Sequence, residues 1–195
     1  MPETRDTKTA LLDHAEHVAR ARGFDGFSYA DLAEAVGIRK ASIHYHFPSK
    51  AALSAALMDR YHSEMQAACA AMDAAHDTAA GRVLALVAHY RTALNDGQTL
   101  CLCVSFVASR ESLSDEVKHK ISRFRAMLLG WITEAFARAR VDGSISDVAA
   151  PQTEARAAVA MLEGAHLAAR AEEDVAVFDQ AVALLRARCA GGSEH

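Results

Sequence analysis

The stretch FSYADLAEAVGIRKASIHYHFPSK, residues 27–50, decides the fold class of this chain. Ser28 and, three residues later, Asp31 are typical of a helix N-terminus, because each side chain can accept a hydrogen bond from the other's backbone N–H. Gly37 suits a tight turn, since glycine adopts a positive φ without strain. The pattern therefore predicts a helix-turn-helix, in which two short helices pack at a steep angle. These helices are expected at 29–36 and 40–46.

Small and apolar residues occur where two such helices would touch, at Leu32, Ala33, Val36, Ile38 and Ile43. The outward side of the second helix carries cations, a hydroxyl group and an imidazole, and no acid. Such side chains suit the major groove of DNA, where they reach phosphates and base edges. An ordinary helical hairpin uses the same caps and turn, so the spacing alone leaves that alternative open. The outward residues are Arg39, Lys40, Ala41, Ser42, His44 and Tyr45.

Composition favours an all-α protein of ordinary globular type. The chain has 195 residues, of which 51% are hydrophobic, and this content excludes a disordered protein. Alanine, the best helix former, dominates the apolar fraction. The net charge is −4, yet residues 35–50 hold three cations and no acid, so one short segment is locally basic. We see no signal peptide or membrane span and expect a cytoplasmic protein with four free thiols.

Apolar residues at helical spacing continue along the rest of the chain. The turn sequences Asn95-Asp96-Gly97 and Asp142-Gly143-Ser144 separate some of these helical stretches. We find no internal repeat and no alternation typical of strands. Further helices are predicted at 6–22, 50–75, 78–95, 100–111, 115–140, 152–172 and 175–189.

Residues 27–50 resemble the DNA-binding signature of TetR-family transcriptional regulators, above all in the ending Tyr45-His46-Phe47 with Ser49-Lys50. The resemblance implies a homodimer that binds a palindromic operator, with a recognition helix in each of two successive major grooves. His44 departs from the more common Tyr at its position. Together with the outward side of the second helix, the resemblance predicts DNA contacts from Ser28, Arg39, Lys40, Ala41, Ser42, His44, Tyr45, His46 and Lys50.

The same resemblance divides the chain into a DNA-binding domain, 1–50, and a helical effector-binding and dimerisation domain, 51–195. It places the dimer interface on the last two long helices. Stripes of small and apolar residues on both helices support this, because small residues allow close packing. The alternative is that these stripes belong to the core of one chain. The predicted interface consists of Met161, Leu162, Ala165, Ala169, Phe178, Val182 and Leu185.

The segment 100–108 is apolar on all sides, which is typical of a buried helix. Cys101 and Cys103 lie about 200° apart on a helix, so they should share neither a disulfide nor a metal. Both cysteines can be plain buried residues. The segment also resembles a branch of the TetR family with reactive sensor cysteines. In that interpretation Cys101, near the helix N-terminus, reacts with an electrophile or oxidant.

Other effector-pocket candidates are aromatic and polar residues of the flanking helices, although the walls of a pocket and of a core look alike in sequence. No histidine spacing matches a known metal motif, and we predict no metal and no cofactor. The complete candidate set is Cys101, Cys103, His89, Tyr90, Phe106, Phe124, Met127, Trp131 and His166.

The expected function is a homodimeric repressor that a small-molecule effector releases from double-stranded DNA, without a membrane partner and without enzymatic activity. Two alternatives stay open. One is a cysteine-dependent helical enzyme acting on a small electrophile, which would need a base beside the thiol. The other is a helical adaptor that does not bind DNA.

Overall fold

The structure, a computed structural model, describes residues 7–191. This part of the chain forms ten α-helices with two short 3-10 turns at 24–26 and 110–112, and it contains no strand. The prediction of an all-α fold is confirmed. The helices are α1 (Thr7–Arg22), α2 (Tyr29–Val36), α3 (Lys40–His46), α4 (Lys50–Ala75), α5 (Ala79–Ala93), α6 (Leu102–Val107), α7 (Asp115–Asp142), α8 (Pro151–Glu172), α9 (Val175–Ala181) and α10 (Ala183–Ala190).

The helices pack into two compact units. The first unit contains the residues up to His62 together with Leu102–Arg123, and the second contains Ser63–Cys101 and the residues from Phe124 onward. This grouping by packing differs from the division by function, 1–50 and 51–195, which stays a prediction. The first unit extends beyond residue 50 because the inner faces of its N-terminal helices need the start of α4 and all of α6 to cover them.

The first unit is built on α1. Arg60 of α4 donates hydrogen bonds to Asp13 and Glu16 of α1, at 2.7 and 2.6 Å. Ser105 of α6 donates to the backbone oxygen of Ala19 in α1. The fully buried core residues of the first unit come from five helices. The helix-turn-helix is therefore held by the whole unit rather than by its own turn alone. These core residues include Leu11, Leu32, Ile43, Leu53 and Phe106.

The second unit buries one side of α8 against α5, α9 and α10. Its large, fully or almost fully buried side chains include Met65, Leu86, Phe124, Phe136 and Phe178. None of the helices in residues 7–191 is long and apolar enough to cross a membrane.

Two helices differ from the prediction. The segment 100–111 is helical only over α6, because the backbone N–H of Cys101 bonds to a side chain of α8 and Ser109 leaves helical geometry at φ −109° and ψ 32°. The predicted helix 175–189 is divided at Val182, where ψ is 2°. This break is slight, since hydrogen bonds from Val182 to Phe178 and from Arg186 to Val182 continue across it.

Candidate nucleic-acid interface

The helix-turn-helix forms as its local sequence predicts. The Ser28 side chain accepts a hydrogen bond from the N–H of Asp31, and the Asp31 carboxylate accepts one from the N–H of Ser28 at 2.7 Å. Hydrogen bonds to the carboxylate from the backbone N–H and the side chain of Ser28 lower the pKa of Asp31. Gly37 ends α2 in the left-handed region, at φ 74° and ψ 33°. The next residue, Ile38, then donates its N–H to Ala33 and starts the chain toward α3.

One side of α3 is anchored in the core and the other is open to solvent. Ile43 is completely buried, whereas the ring of Tyr45 is 87% exposed. His46 is half-buried, with its ring against that of Tyr45. No Asp or Glu occurs between Glu34 and Asp59 in the sequence. The structure thus exposes all six predicted outward residues together, on a face without acids, namely Arg39, Lys40, Ala41, Ser42, His44 and Tyr45.

His44 is fixed by contacts that the sequence did not reveal. Its Nδ1 lies 3.3 Å from the backbone oxygen of Pro48. Its ring meets the ring of Tyr29 edge-on, with centroids 5.0 Å apart. The Tyr29 hydroxyl donates to the backbone oxygen of Phe47 at 2.9 Å, and burial raises the pKa of Tyr29 to about 12. The uncharged Tyr29 side chain therefore connects the start of α2 to the end of α3.

Lys50 has a structural role in addition to the DNA contact predicted for it. Its Nζ donates to the backbone oxygen of Phe27 at 2.9 Å. The same ammonium group lies 4.5 and 4.4 Å from the ring centroids of Phe24 and Phe27. Burial lowers the pKa of Lys50, opposed by the charges of nearby carboxylates. Lys50 thus clamps the loop before α2 to the start of α4, and a phosphate contact from it stays a prediction.

Comparison with known proteins agrees with this geometry. Residues 11–57 match the family model described as bacterial regulatory proteins, tetR family. A TetR-family transcriptional regulator from Agrobacterium tumefaciens has the same fold, with a TM-score of 0.88 and 28% identity over 93% of this chain and 96% of that one. Residues 11–57 are therefore a TetR-family DNA-binding domain. The fold of the described residues follows the pattern of the same family.

Two curated relatives share this DNA-binding region. The HTH-type transcriptional regulator TtgR of Pseudomonas putida is 35% identical over 60 residues, 31% of this chain and 29% of that protein. The biofilm operon icaADBC HTH-type negative transcriptional regulator IcaR of Staphylococcus aureus is 42% identical over 43 residues, 22% of this chain and 23% of that one. The match thus spans less than a third of the length of either relative.

The structure brings three of the predicted effector residues together. His166 is fully buried, and its Nδ1 accepts a hydrogen bond from the N–H of Cys101 at 3.2 Å. Its Nε2 donates to the backbone oxygen of Tyr90 at 2.8 Å. The rings of Tyr90 and Phe178 lie edge-on to it, at 5.1 and 5.6 Å. The two hydrogen bonds define a neutral imidazole with its hydrogen on Nε2, which joins α5 and α8 to the segment before α6.

The other predicted effector residues lie in both units. Cys103 and Phe106 belong to the first unit, where the Phe106 ring packs against Phe24 at 5.6 Å. Trp131 donates its indole N–H to Asp73 at 3.0 Å. Phe124 is buried in the second unit, and Met127 and His89 are half-buried there.

Two further features bear on ligand binding. A cleft of about 480 Å³ lies in the first unit and is lined by α1, α2 and the loop before α2. Its lining residues do not include any of the predicted effector residues. Within residues 7–191, no group of three or more His, Cys, Asp or Glu side chains is arranged to hold a metal ion.

All four cysteines are buried and form no disulfide. Cys101 is 2% exposed and immediately precedes α6. Burial raises the pKa of both Cys69 and Cys189 to about 11, which agrees with a structural role for these two thiols. α6 has only six residues, so its dipole offers little help in ionising Cys101.

Six of the seven residues predicted for the dimer interface are buried within a single chain. They are at most 3% exposed within a single chain, so they form the core of the second unit and are not free to contact a partner. Met161 alone is half-buried. The physical reason is that α8 has small residues on both sides, and the side with Leu162 faces inward. The six are Leu162, Ala165, Ala169, Phe178, Val182 and Leu185.

Proposed function

We propose that this chain is a homodimeric transcriptional repressor, acting in the cytoplasm, that binds a palindromic operator through residues 28–50 and is released by a small-molecule effector. The observation that carries the proposal is the outward side of α3. Six consecutive or nearly consecutive residues are exposed together there, with cations and hydrogen-bonding groups and no acid. A surface of this kind attracts the phosphate backbone and fits the major groove.

Lys40 provides the most direct test of DNA binding. Fluorescence anisotropy would follow labelled DNA from the region flanking the protein's own coding sequence, at several salt concentrations. If Lys40 contacts phosphate, Lys40→Ala weakens binding and reduces the slope of log K against log salt by about 0.9 for each lost contact, or about two for a dimer. Lys118→Ala is the matched control, because Lys118 is a surface lysine of the same unit that lies on α7. Equal slopes for wild type and Lys40→Ala would remove Lys40 from the interface.

The dimer surface that we propose lies on the outer sides of α8 and of α9–α10. On α8 the exposed residues Ala157, Ala160, Gly164 and Leu167 recur at helical spacing, and a Cβ on Gly164 would meet nothing within 4 Å. Leu167 is 50% exposed and Leu184 of α10 is 76% exposed. Small residues with exposed leucines at both helices suit close packing of four helices from two copies.

We place effector sensing at the group formed by Tyr90, Cys101 and His166. A ligand or a thiol adduct that displaces Cys101 would break its hydrogen bond to His166, which is the 3.2 Å contact described above. Cys101 is 2% exposed, so a reagent reaches the sulfur only when this segment opens. The effector then stabilises the opened conformation. The difference between its affinities for the opened and closed conformations sets the extent of release from DNA.

The thiol component of this proposal is tested with N-ethylmaleimide. Repressor bound to labelled flanking DNA is treated with the reagent, and release is followed by anisotropy in wild type, Cys101→Ser and Cys69→Ser. Sensing at Cys101 predicts release in wild type and in Cys69→Ser, but not in Cys101→Ser. Release that persists in Cys101→Ser would assign the reaction to another thiol. Absence of release in wild type would leave a non-covalent effector, whose binding the single tryptophan, Trp131, can report.

A further inference from the structure

One of the two histidines on α3 is held as a defined tautomer. Nδ1 of His44 lies 3.3 Å from the backbone oxygen of Pro48. A carbonyl oxygen only accepts hydrogen bonds, so Nδ1 carries the hydrogen. In the neutral imidazole the second nitrogen, Nε2, then has a lone pair and no hydrogen. The side chain is exposed and lies one helical turn after the exposed Lys40.

A phosphate oxygen, like a carbonyl oxygen, only accepts hydrogen bonds. Neutral His44 therefore has no N–H left to offer to DNA while its contact with Pro48 persists. A proton taken from the buffer and placed on Nε2 adds both a donor and a positive charge, and it leaves the hydrogen bond from Nδ1 unchanged. We propose that His44 binds a DNA phosphate only in its protonated form, so that DNA binding takes up one proton per protomer at this residue. The inference rests on the proposed DNA contact of α3 and concerns its dependence on pH.

In this proposal, the anion that favours protonation of the His44 imidazole is the bound DNA phosphate rather than a carboxylate of the protein. From α2, the Tyr29 ring packs against it, and this phenol stays neutral because its pKa is about 12. The α2 carboxylate Asp31 accepts hydrogen bonds from Ser28 in the capping box. Glu34, the other acid of α2, is exposed. The cations on the elements around His44 are Arg39, Lys40 and Lys50, and His46 is a second titratable group.

The test uses a labelled mixed-sequence duplex of about 30 base pairs, because phosphate contacts do not depend on the operator sequence. Its Kd is measured by anisotropy at pH 6 and pH 8, the range in which imidazoles change charge, at one low ionic strength. The variants are His44→Gln and His46→Gln, with His17→Gln as the control at an exposed histidine of α1. Helix content by circular dichroism confirms folding at both pH values.

The proposal predicts that the wild-type Kd increases about ten-fold from pH 6 to pH 8. His44→Gln should lose most of this increase, because an amide side chain does not titrate in this range. His17→Gln should behave as wild type. Titration calorimetry in two buffers of different ionisation enthalpy should show proton uptake in wild type that is absent in His44→Gln.

Three results would overturn the proposal: a wild-type Kd that is the same at both pH values, a pH dependence that His44→Gln retains, or one that only His46→Gln removes. A protein that is folded but binds the duplex at neither pH would contradict the proposed function itself. That outcome is distinct from binding that merely lacks a pH dependence.

Discussion

At the scale of single residues, two lysines near the helix-turn-helix have different surroundings. Lys40 is exposed on the outward side of α3. The Lys50 ammonium donates to the Phe27 carbonyl and lies over two phenyl rings. Because Phe27 immediately precedes the capping residue Ser28, this clamp also positions the start of α2. Lys50 thus contributes to the fold of the helix-turn-helix.

We expect Lys50→Met to destabilise the protein by about 1–2 kcal/mol, since it keeps the aliphatic stem but removes a charged hydrogen bond and two cation–π contacts. Chemical denaturation with urea at neutral pH measures this loss. If the clamp is the main role, the salt dependence of DNA binding equals that of wild type. A folded, equally stable variant with a slope reduced by about 0.9 per contact would instead identify Lys50 as a phosphate ligand.

At the scale of secondary-structure elements, Arg188 of α10 organises the loop between α7 and α8. Its guanidinium donates to both carboxylate oxygens of Glu154 at 2.9 and 3.0 Å, and to the backbone oxygens of Ser146 and Asp147. Glu154 is 8% exposed and lies in the first turn of α8. One side chain thus holds a loop and two helix ends together.

The pair between Arg188 and Glu154 should make stability depend on acid pH. Hydrogen bonds from Arg188 are the main cause that lowers the pKa of Glu154 from its usual 4.5. Its stabilisation is therefore fully present above that value and is lost as the pH falls through the lower pKa of the folded state. Glu154→Gln should cost about 1–3 kcal/mol at pH 7 in urea unfolding, and its difference from wild type should shrink at pH 3.

The control for this prediction is Arg170→Gln, which breaks the exposed pair with Glu173 near the end of α8. Exposed pairs contribute little, so we expect a change within about 0.5 kcal/mol. The special role of the pair between Arg188 and Glu154 would be refuted if Arg170→Gln lost as much stability as Glu154→Gln. It would also be refuted if the stability difference between Glu154→Gln and wild type were the same at pH 7 and pH 3.

At the scale of the whole molecule, binding of a palindrome requires two copies of the chain. The outer side of α8 is formed by alanines, a glycine and Leu167, and α10 exposes Leu184. Exposed leucines on adjoining helices are unfavourable in water and favourable when a second copy covers them. The exposed side, rather than the buried stripe that the sequence suggested, is therefore the expected contact between protomers.

We expect Leu167→Glu and Leu184→Glu each to weaken the dimer by about 3 kcal/mol, more than 100-fold in Kd, because an unpaired carboxylate would enter the interface. Analytical ultracentrifugation measures the shift toward monomer. Val141→Glu is the matched control, since Val141 is 88% exposed at the end of α7 and outside both stripes. Wild-type sedimentation of both leucine variants would show that the protomers meet elsewhere.

Local sequence specifies the parts of this protein whose interactions span only a few residues. Ser28 and Asp31 cap each other across three positions, and Gly37 supplies the left-handed residue that its turn needs. The bounds of α2, α3 and α4 follow from such short-range hydrogen bonds and from helical periodicity, and they agree with the sequence prediction. The exposed face of α3 follows as well, since burial of Ile43 places its neighbours outward.

Contacts between distant parts of the chain set the remaining features. Lys50 and Phe27 are separated by 23 residues, and Cys101 and His166 by 65, so no local pattern pairs them. Phe106 joins the first unit because α6 packs on α1, which its own apolar sequence does not indicate. The orientation of α8 is the clearest case. Both of its sides are rich in alanine, so periodicity fits either orientation, and the side that packs on α5 and α9 becomes the core.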